Sequence, residues 1–247
     1  MIRAQMLLLM LVALACAARM ASAQTVSADL SSHLVAITTG FTGTSVVLFG
    51  ATDGPADVIA VVRGPERSMV VRRKSRVAGI WMNTRAVTFE GVPSYYALYS
   101  TRPLAEIAPP AMQALHQIGL ENLRFTGADA RTQEDRDMFR AALIDEQRRQ
   151  GLYLKEPGQV AFLGNRLFRA TIDFPANVPT GTYLFEVFLV RDKAVVSGQT
   201  TPLVVSQIGF DADVNEFAER RSLAYGLLAV AGAAMAGWLA SLPFRNA

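Results

Sequence analysis

The sequence predicts a mainly β protein: an immunoglobulin-like antiparallel sandwich, one or two of them, with a short helical insertion and one C-terminal transmembrane helix. Three observations carry that expectation. Short stretches rich in β-branched and aromatic residues, punctuated by Gly, Pro, Asn or Asp, recur through residues 33–100 and again through 158–210. The interval from Pro103 to Gly151 breaks that rhythm. The segment Ser222 to Phe244 carries no charge and is bracketed by Arg220, Arg221 and Arg245.

At the start of the chain, Arg3 precedes an unbroken apolar run from Met6 to Ala18, and Ala21-Ser22-Ala23 offers small side chains where a signal peptidase reads. The run is short for a bilayer span. Residues 1–23 therefore read as a signal peptide, leaving Gln24 as the mature terminus. The rival, lipidation at Cys16, meets Ala13 at the upstream position where a large aliphatic residue is usual. Cys16 is the sole cysteine, so the processed chain has no disulfide and no thiolate ligand. Loss of Arg3 and Arg19 takes two of the 24 basic residues against 21 acidic ones, and the net charge falls from +3 to +1. No global argument for nucleic acid survives that balance.

Residues 24–210 read as one exported β-rich region. Strand-like segments run 33–40, 44–50, 57–64, 68–73, 77–83, 86–91 and 95–100. In the insertion, about 105–151, Pro109-Pro110 opens a short helix that ends before Gly119. Thr132 with Asp135 caps a second helix, which turns Met138, Phe139, Ala142 and Leu143 inward and stops at Gly151. Strands return at 158–164, 166–174, 182–192, 194–199 and 202–210. The last of these follow a Pro/Gly corner, with Tyr183 either a tyrosine-corner hydroxyl or an ordinary half-buried strand tyrosine, and a turn at Asp192-Lys193.

The stretch "VVRRKSRVAGIWMN" packs Arg72, Arg73, Lys74 and Arg76 together. Neighbours in a strand point to opposite faces, so the strand is expected to have nearly ended by Arg72, leaving these cations on an exposed hairpin tip. Two readings of that tip stay open: a solvated turn, or a surface docking an acidic partner, anionic lipid or anion.

Residues 211–221 form a juxtamembrane segment, and the uncharged run 222–244 gives roughly 34 Å of helix against a hydrocarbon core of about 30 Å. Residues 245–247 form a cytoplasmic tail. The signal peptide places the bulk of the chain in the periplasm, with a single pass through the inner membrane; Arg220 and Arg221 run against the positive-inside tendency, but long domains cross largely regardless of charge. Ala229, Ala233 and Gly237 fall four apart, as do Gly232, Ala236 and Ala240, and the two rows merge into one small-residue face. Such a face suits packing against an integral-membrane permease or a second copy of the chain, although small residues are common in spanning helices.

No catalytic motif is present. His33 and His116 are the only histidines and lie far apart, without metal-ligand spacing. There is no G-x-S-x-G elbow, P-loop or dinucleotide turn. Glu134, Asp135 and Asp137 interleave with Arg131, Arg136 and Arg140 as on a solvated helix face. The expectation is no catalytic residue, no metal, no cofactor and no nucleic-acid partner.

Taken together, "FTG" (41–43), "LFG" (48–50), "VVRGP" (61–65), "RRKSRVAGIWMN" (72–83), "PSYYALYSTRPL" (93–104), "QIGLENLRF" (117–125) and "VPTGTYLFEVFLVRD" (178–192) resemble a family of alphaproteobacterial proteins described as "putative transmembrane protein". The resemblance implies an exported, single-span inner-membrane protein. Because members are often found beside a sulfite-exporter type permease, it also implies a transport accessory role. The family brings no catalytic residue. Beside the accessory reading stand an anchored module binding a small anion or anionic envelope component, and an unrecognised hydrolase. A flat apolar patch would favour the first, a concave Arg-lined pocket the second, and a polar pocket with converging acids or histidines the third.

Overall fold

The computed structural model describes residues 26–77, 79–127, 132–209, 218 and 221–241. The signal peptide, its cleavage site, most of the juxtamembrane segment and the C-terminal tail lie outside the described residues. In chain order the strands are β1 (Val26–Leu30), β2 (Leu34–Ile37), β3 (Gly43–Thr52), β4 (Asp57–Arg63), β5 (Glu66–Val77), β6 (Ile80–Pro93) and β7 (Tyr96–Ser100). The insertion holds α1 (Leu104–Ile107), α2 (Pro110–Leu115), a 3-10 turn (Leu120–Asn122), β8 (Thr126–Gly127) and α3 (Gln133–Arg149). Then come β9 (Gly158–Gln159), β10 (Ala161–Leu163), β11 (Leu167–Pro175), β12 (Gly181–Arg191), β13 (Ala194–Gln207) and the helix α4 (Ser222–Ser241).

Period-two patterning builds the main core. In β11, Phe168, Ala170, Ile172 and Phe174 are buried while Leu167, Arg169, Thr171 and Asp173 face out. β12 buries Tyr183, Phe185, Val187 and Leu189 in the same way. These inner faces meet: Phe174 lies 5.5 Å from Tyr183 and 6.4 Å from Phe185, centroid to centroid. One sheet runs in the order β1-β3-β11-β10 and the other β2-β13-β12-β4-β7-β9, with a single hydrophobic core between them. Gln199 fastens the two across their edge, its Nε2 donating to the Ala28 carbonyl at 2.7 Å and its Oε1 accepting from the Ala28 N–H at 2.9 Å.

The central strand β4 reads differently. Val58 to Val62 is an uninterrupted apolar run, every residue at most 1% exposed. A strand without alternation is covered on both faces. The second cover is the insertion, whose Ile107, Ala108, Ile118 and Leu120 belong to the same core. From α2, Met112 packs partly buried against that core.

Helix α3 packs elsewhere. With β5 and β6 it makes a smaller core of Val87, Phe89, Val92, Phe139 and Leu143, and β8 completes the three-stranded sheet β5-β6-β8. Thr132 caps it as expected, its hydroxyl accepting from the Asp135 N–H at 3.2 Å, and the chain turns at Gly151 with φ +74°. The buried row is Phe139, Leu143 and Gln147; Met138 and Ala142, expected inside, are exposed. A helix lying on a narrow two-stranded ribbon buries one i, i+4 row and leaves the neighbouring row in water.

Three strand expectations are corrected. β1 was not anticipated, although Val-Ser-Ala-Asp-Leu alternates buried and exposed throughout. The expected strands 77–83 and 86–91 are merged into one, β6, which begins at Ile80 while Val77 ends β5, and 194–199 and 202–210 into another, β13, which ends at Gln207. Pro202 does not interrupt β13, because β2 pairs only with Val204–Gln207 and leaves Pro202 with β12 as its sole neighbour. The expected turn at Asp192-Lys193 is present, both residues at positive φ (50° and 62°), as the tightest hairpins require.

Candidate functional site

The four cations Arg72, Arg73, Lys74 and Arg76 lie within a strand and not at its tip. β5 continues to Val77, where a two-residue connection ending in Gly79, at φ +86°, leads into β6. Exposed charges do not interrupt a backbone ladder, so the expected early strand end is overturned: Arg72 pairs with Ala86, Arg73 with Arg85, Lys74 with Asn83 and Arg76 with Trp81. Between Arg73 and Lys74 the register shifts, leaving Thr84 as the extra residue of a bulge. Its hydroxyl fills the irregularity, accepting from Ser75 Oγ at 2.8 Å.

Alternation sorts these side chains by face. Arg72, Lys74 and Arg76 share one face with Trp81, whereas Arg73 shares the other with Arg85, Val71 and Phe89, the face that packs on α3. Arg85 closes that packing with a 2.6 Å ion pair to Asp135 at the N-terminus of α3, and the guanidinium holds the Asp135 carboxyl below the usual carboxylate range. Beyond it the ribbon is an arm whose end is apolar: Ile80, Trp81 and Met82 are 67%, 68% and 51% exposed. The structure thus groups three of the four expected cations and sets Arg73 apart.

A second surface was not singled out in the sequence. On the outer face of the four-stranded sheet, Phe49, Leu163 and Leu167 are 46%, 49% and 55% exposed. Leu163 pairs with Leu167, Leu167 with Ala51 and Phe49 with Arg169, so the three form one cross-strand patch over a shallow depression of about 370 Å³, edged by Arg169 and Asp29. Its signal was present: a strand with one solvated face normally places polar residues there, and β3 and β10 do not.

A third feature is a cleft of about 300 Å³ lined by Arg63, Glu66, Gln117, Arg124, Phe125 and Glu186. Arg63 is committed within it: one terminal nitrogen pairs with Glu186, and the other donates to the carbonyls of His116 at 2.8 Å and Gln117 at 3.1 Å. Burial lowers the Arg63 pKa from its ordinary value. Arg124 donates to the Ala114 carbonyl at 3.1 Å. Cations engaged by the protein's own carboxylate and carbonyls offer little to an external anion. The histidines stay apart, His33 on Asp29 at 2.9 Å and His116 against the Phe188 ring at 5.0 Å. Among the described residues no group of three or more His, Cys, Asp or Glu is placed to hold a metal ion.

Residues 25–246 match the family described as "Putative transmembrane protein". The chain belongs to this family. No curated protein matches it. The matched residues include α4, whose 20 residues carry no charge. Among the described residues no helix is long and apolar enough to cross a membrane, so the expected span over 222–244 is not shown; within α4 the side chains of 225–238 are exposed. Within that stretch Ala229, Gly232, Ala233, Ala236 and Gly237 are exposed, and a Cβ added at Gly232 or Gly237 would meet open space. The side chain of Ala240, the sixth member of the expected face, lies outside the described residues.

Proposed function

We propose that the protein is a membrane-anchored accessory protein: the uncharged segment 222–244 holds an immunoglobulin-like domain on the periplasmic side of the inner membrane, and the domain works by contact and not by catalysis. The observation that carries this reading is the patch of Phe49, Leu163 and Leu167 on the outer face of a sheet. Contiguous exposed apolar surface of this kind marks interaction sites. Support for the anchor comes from α4, where Leu223, Leu227, Leu228 and Val230 are exposed; an uncharged helix showing leucines and valine all round suits lipid better than water. The apolar run at 6–18 followed by Ala-Ser-Ala supports export. The immunoglobulin-like assignment is supported by the Tyr183 hydroxyl, which donates to the Pro179 carbonyl four residues upstream at 2.6 Å.

An integral-membrane permease of the sulfite-exporter type is the partner that the family resemblance implies. The test is co-purification of the full chain in mild detergent, wild type beside a Phe49→Ser, Leu167→Ser double variant. Both side chains are already about half exposed, so the variant keeps its fold. Loss of a co-purifying membrane protein from the variant alone supports the reading, and an unchanged set of partners contradicts it.

A further inference from the structure

We infer that the β5–β6 arm is a second, reversible membrane-docking element that inserts Ile80, Trp81 and Met82 into the interface of an anionic bilayer while Arg72, Lys74 and Arg76 engage lipid phosphates. The inference rests on the anchored reading above and adds to it a site and a ligand class.

The geometry favours lipid over an acidic protein. At the end of the ribbon Trp81 points to one face and Ile80 and Met82 to the other, so both faces are apolar. A protein surface covers one face of a ribbon and leaves the other wet. An ordered arm entering a bilayer edge-on desolvates both. Behind the apolar end, Arg76 lies opposite Trp81 and Lys74 opposite Asn83, which places Arg76 within roughly 10 Å of the tip and Lys74 roughly 15 Å from it at about 3.3 Å per residue. That matches the depth of about 5–10 Å to which interfacial elements bury their apolar side, with cations left at the phosphates. Trp and flanking Arg or Lys are the side chains suited to that boundary.

Among the described residues, Arg72, Lys74 and Arg76 take part in no salt bridge, whereas Arg85 is held by Asp135. Arg76 donates its Nε to the Gly79 carbonyl at 3.1 Å, which holds its guanidinium beside the turn without pairing its charge. The bilayer is also close at hand. From residue 209 to residue 222 the chain can reach at most about 45 Å at about 3.5 Å per residue, so a domain tethered by α4 meets the lipid surface at high effective concentration. Weak docking then suffices, and each cation contributes through the surface potential of the anionic leaflet.

The chain holds two tryptophans, Trp81 and Trp238, so Trp238→Phe leaves Trp81 as the sole reporter. The full chain with that substitution is reconstituted into vesicles of pure phosphatidylcholine or with about a third phosphatidylglycerol, each containing lipid brominated near the top of the acyl chain. In anionic vesicles Trp81 emission is expected to shift to the blue and be quenched, with both effects weakened by salt. Adding Arg72→Gln, Lys74→Gln and Arg76→Gln should lower the docked-to-free ratio by roughly a hundredfold, enough to abolish quenching. Ile80→Ser with Met82→Ser should do the same while keeping the charge. Vesicle flotation separates the two proposals: protein that floats with the vesicles but shows unquenched, lipid-insensitive Trp81 overturns arm docking and leaves the anchor standing. A Trp81 response to polyglutamate and not to lipid overturns it in favour of an acidic protein partner. A chain that floats with neither vesicle contradicts both readings.

Discussion

Tyr183 illustrates how much a single position can announce. The Pro/Gly corner left Tyr183 as either a corner hydroxyl or an ordinary strand tyrosine, and its hydroxyl reaches the Pro179 carbonyl from a fully buried side chain. The Arg63–Glu186 pair was not foreseen, because the two sit on neighbouring strands β4 and β12, and cross-strand partners depend on a register that one sequence does not display. Asp57 yields a prediction at this scale. Its carboxylate accepts from Arg102 Nε at 2.9 Å and Thr101 Oγ1 at 3.0 Å, and the Arg102 hydrogen bond, more than any other cause, holds its pKa below 3.8. A carboxyl with a depressed folded pKa contributes stability that is present above the unfolded value and lost as pH falls through the folded one. Arg102 is half exposed, so screening limits the contribution to about 1 kcal/mol. Asp57→Asn should therefore unfold about 1 kcal/mol more easily in denaturant at pH 7, with the gap narrowing as pH falls through the lowered folded pKa; a gap that stays unchanged as the solution is made acid would contradict it.

At the scale of elements, strand existence was legible wherever β-branched residues cluster, and strand length was not. β5 and β6 run on through charged and polar residues because the hydrogen-bonded ladder needs no apolar side chains once it is begun, and the arm's cations looked like a tip for that reason. The α3 cap was readable from Thr132 and Asp135, yet its buried face is one row narrower than expected, since the sequence does not reveal how narrow a surface the helix will meet. The helix α4 carries the prediction for elements. In lipid, association depends on close backbone approach, and the described members of the small-residue face, Ala229, Gly232, Ala233, Ala236 and Gly237, leave that approach open. Ala233→Leu with Gly237→Leu should abolish co-purification of a partner or of a second copy, while the protein stays in the membrane fraction and its domain unfolds at an unchanged temperature. Retention of the complex with both leucines present would reduce the helix to a tether.

For the whole molecule, the β-rich class and the place of the helical insertion were legible, because hydropathy and strand punctuation are local signals. What the parts do to one another was less so. The division into one two-sheet core and a separate arm with its own small core follows from contacts distant in sequence, such as Val87 and Phe89 against Phe139 and Leu143. The apolar patch of Phe49, Leu163 and Leu167 likewise exists only once β3, β10 and β11 are side by side. These surfaces make sense on a domain held at a membrane, and that placement is the central claim. It is tested most directly by alkaline carbonate extraction of membranes combined with proteolysis of intact spheroplasts. The full chain should stay in the carbonate-washed pellet, its domain should be digested by protease added outside, and truncation before Ser222 should release the domain in soluble form. A full chain extracted by carbonate, or a domain protected until the inner membrane is broken, would contradict the account.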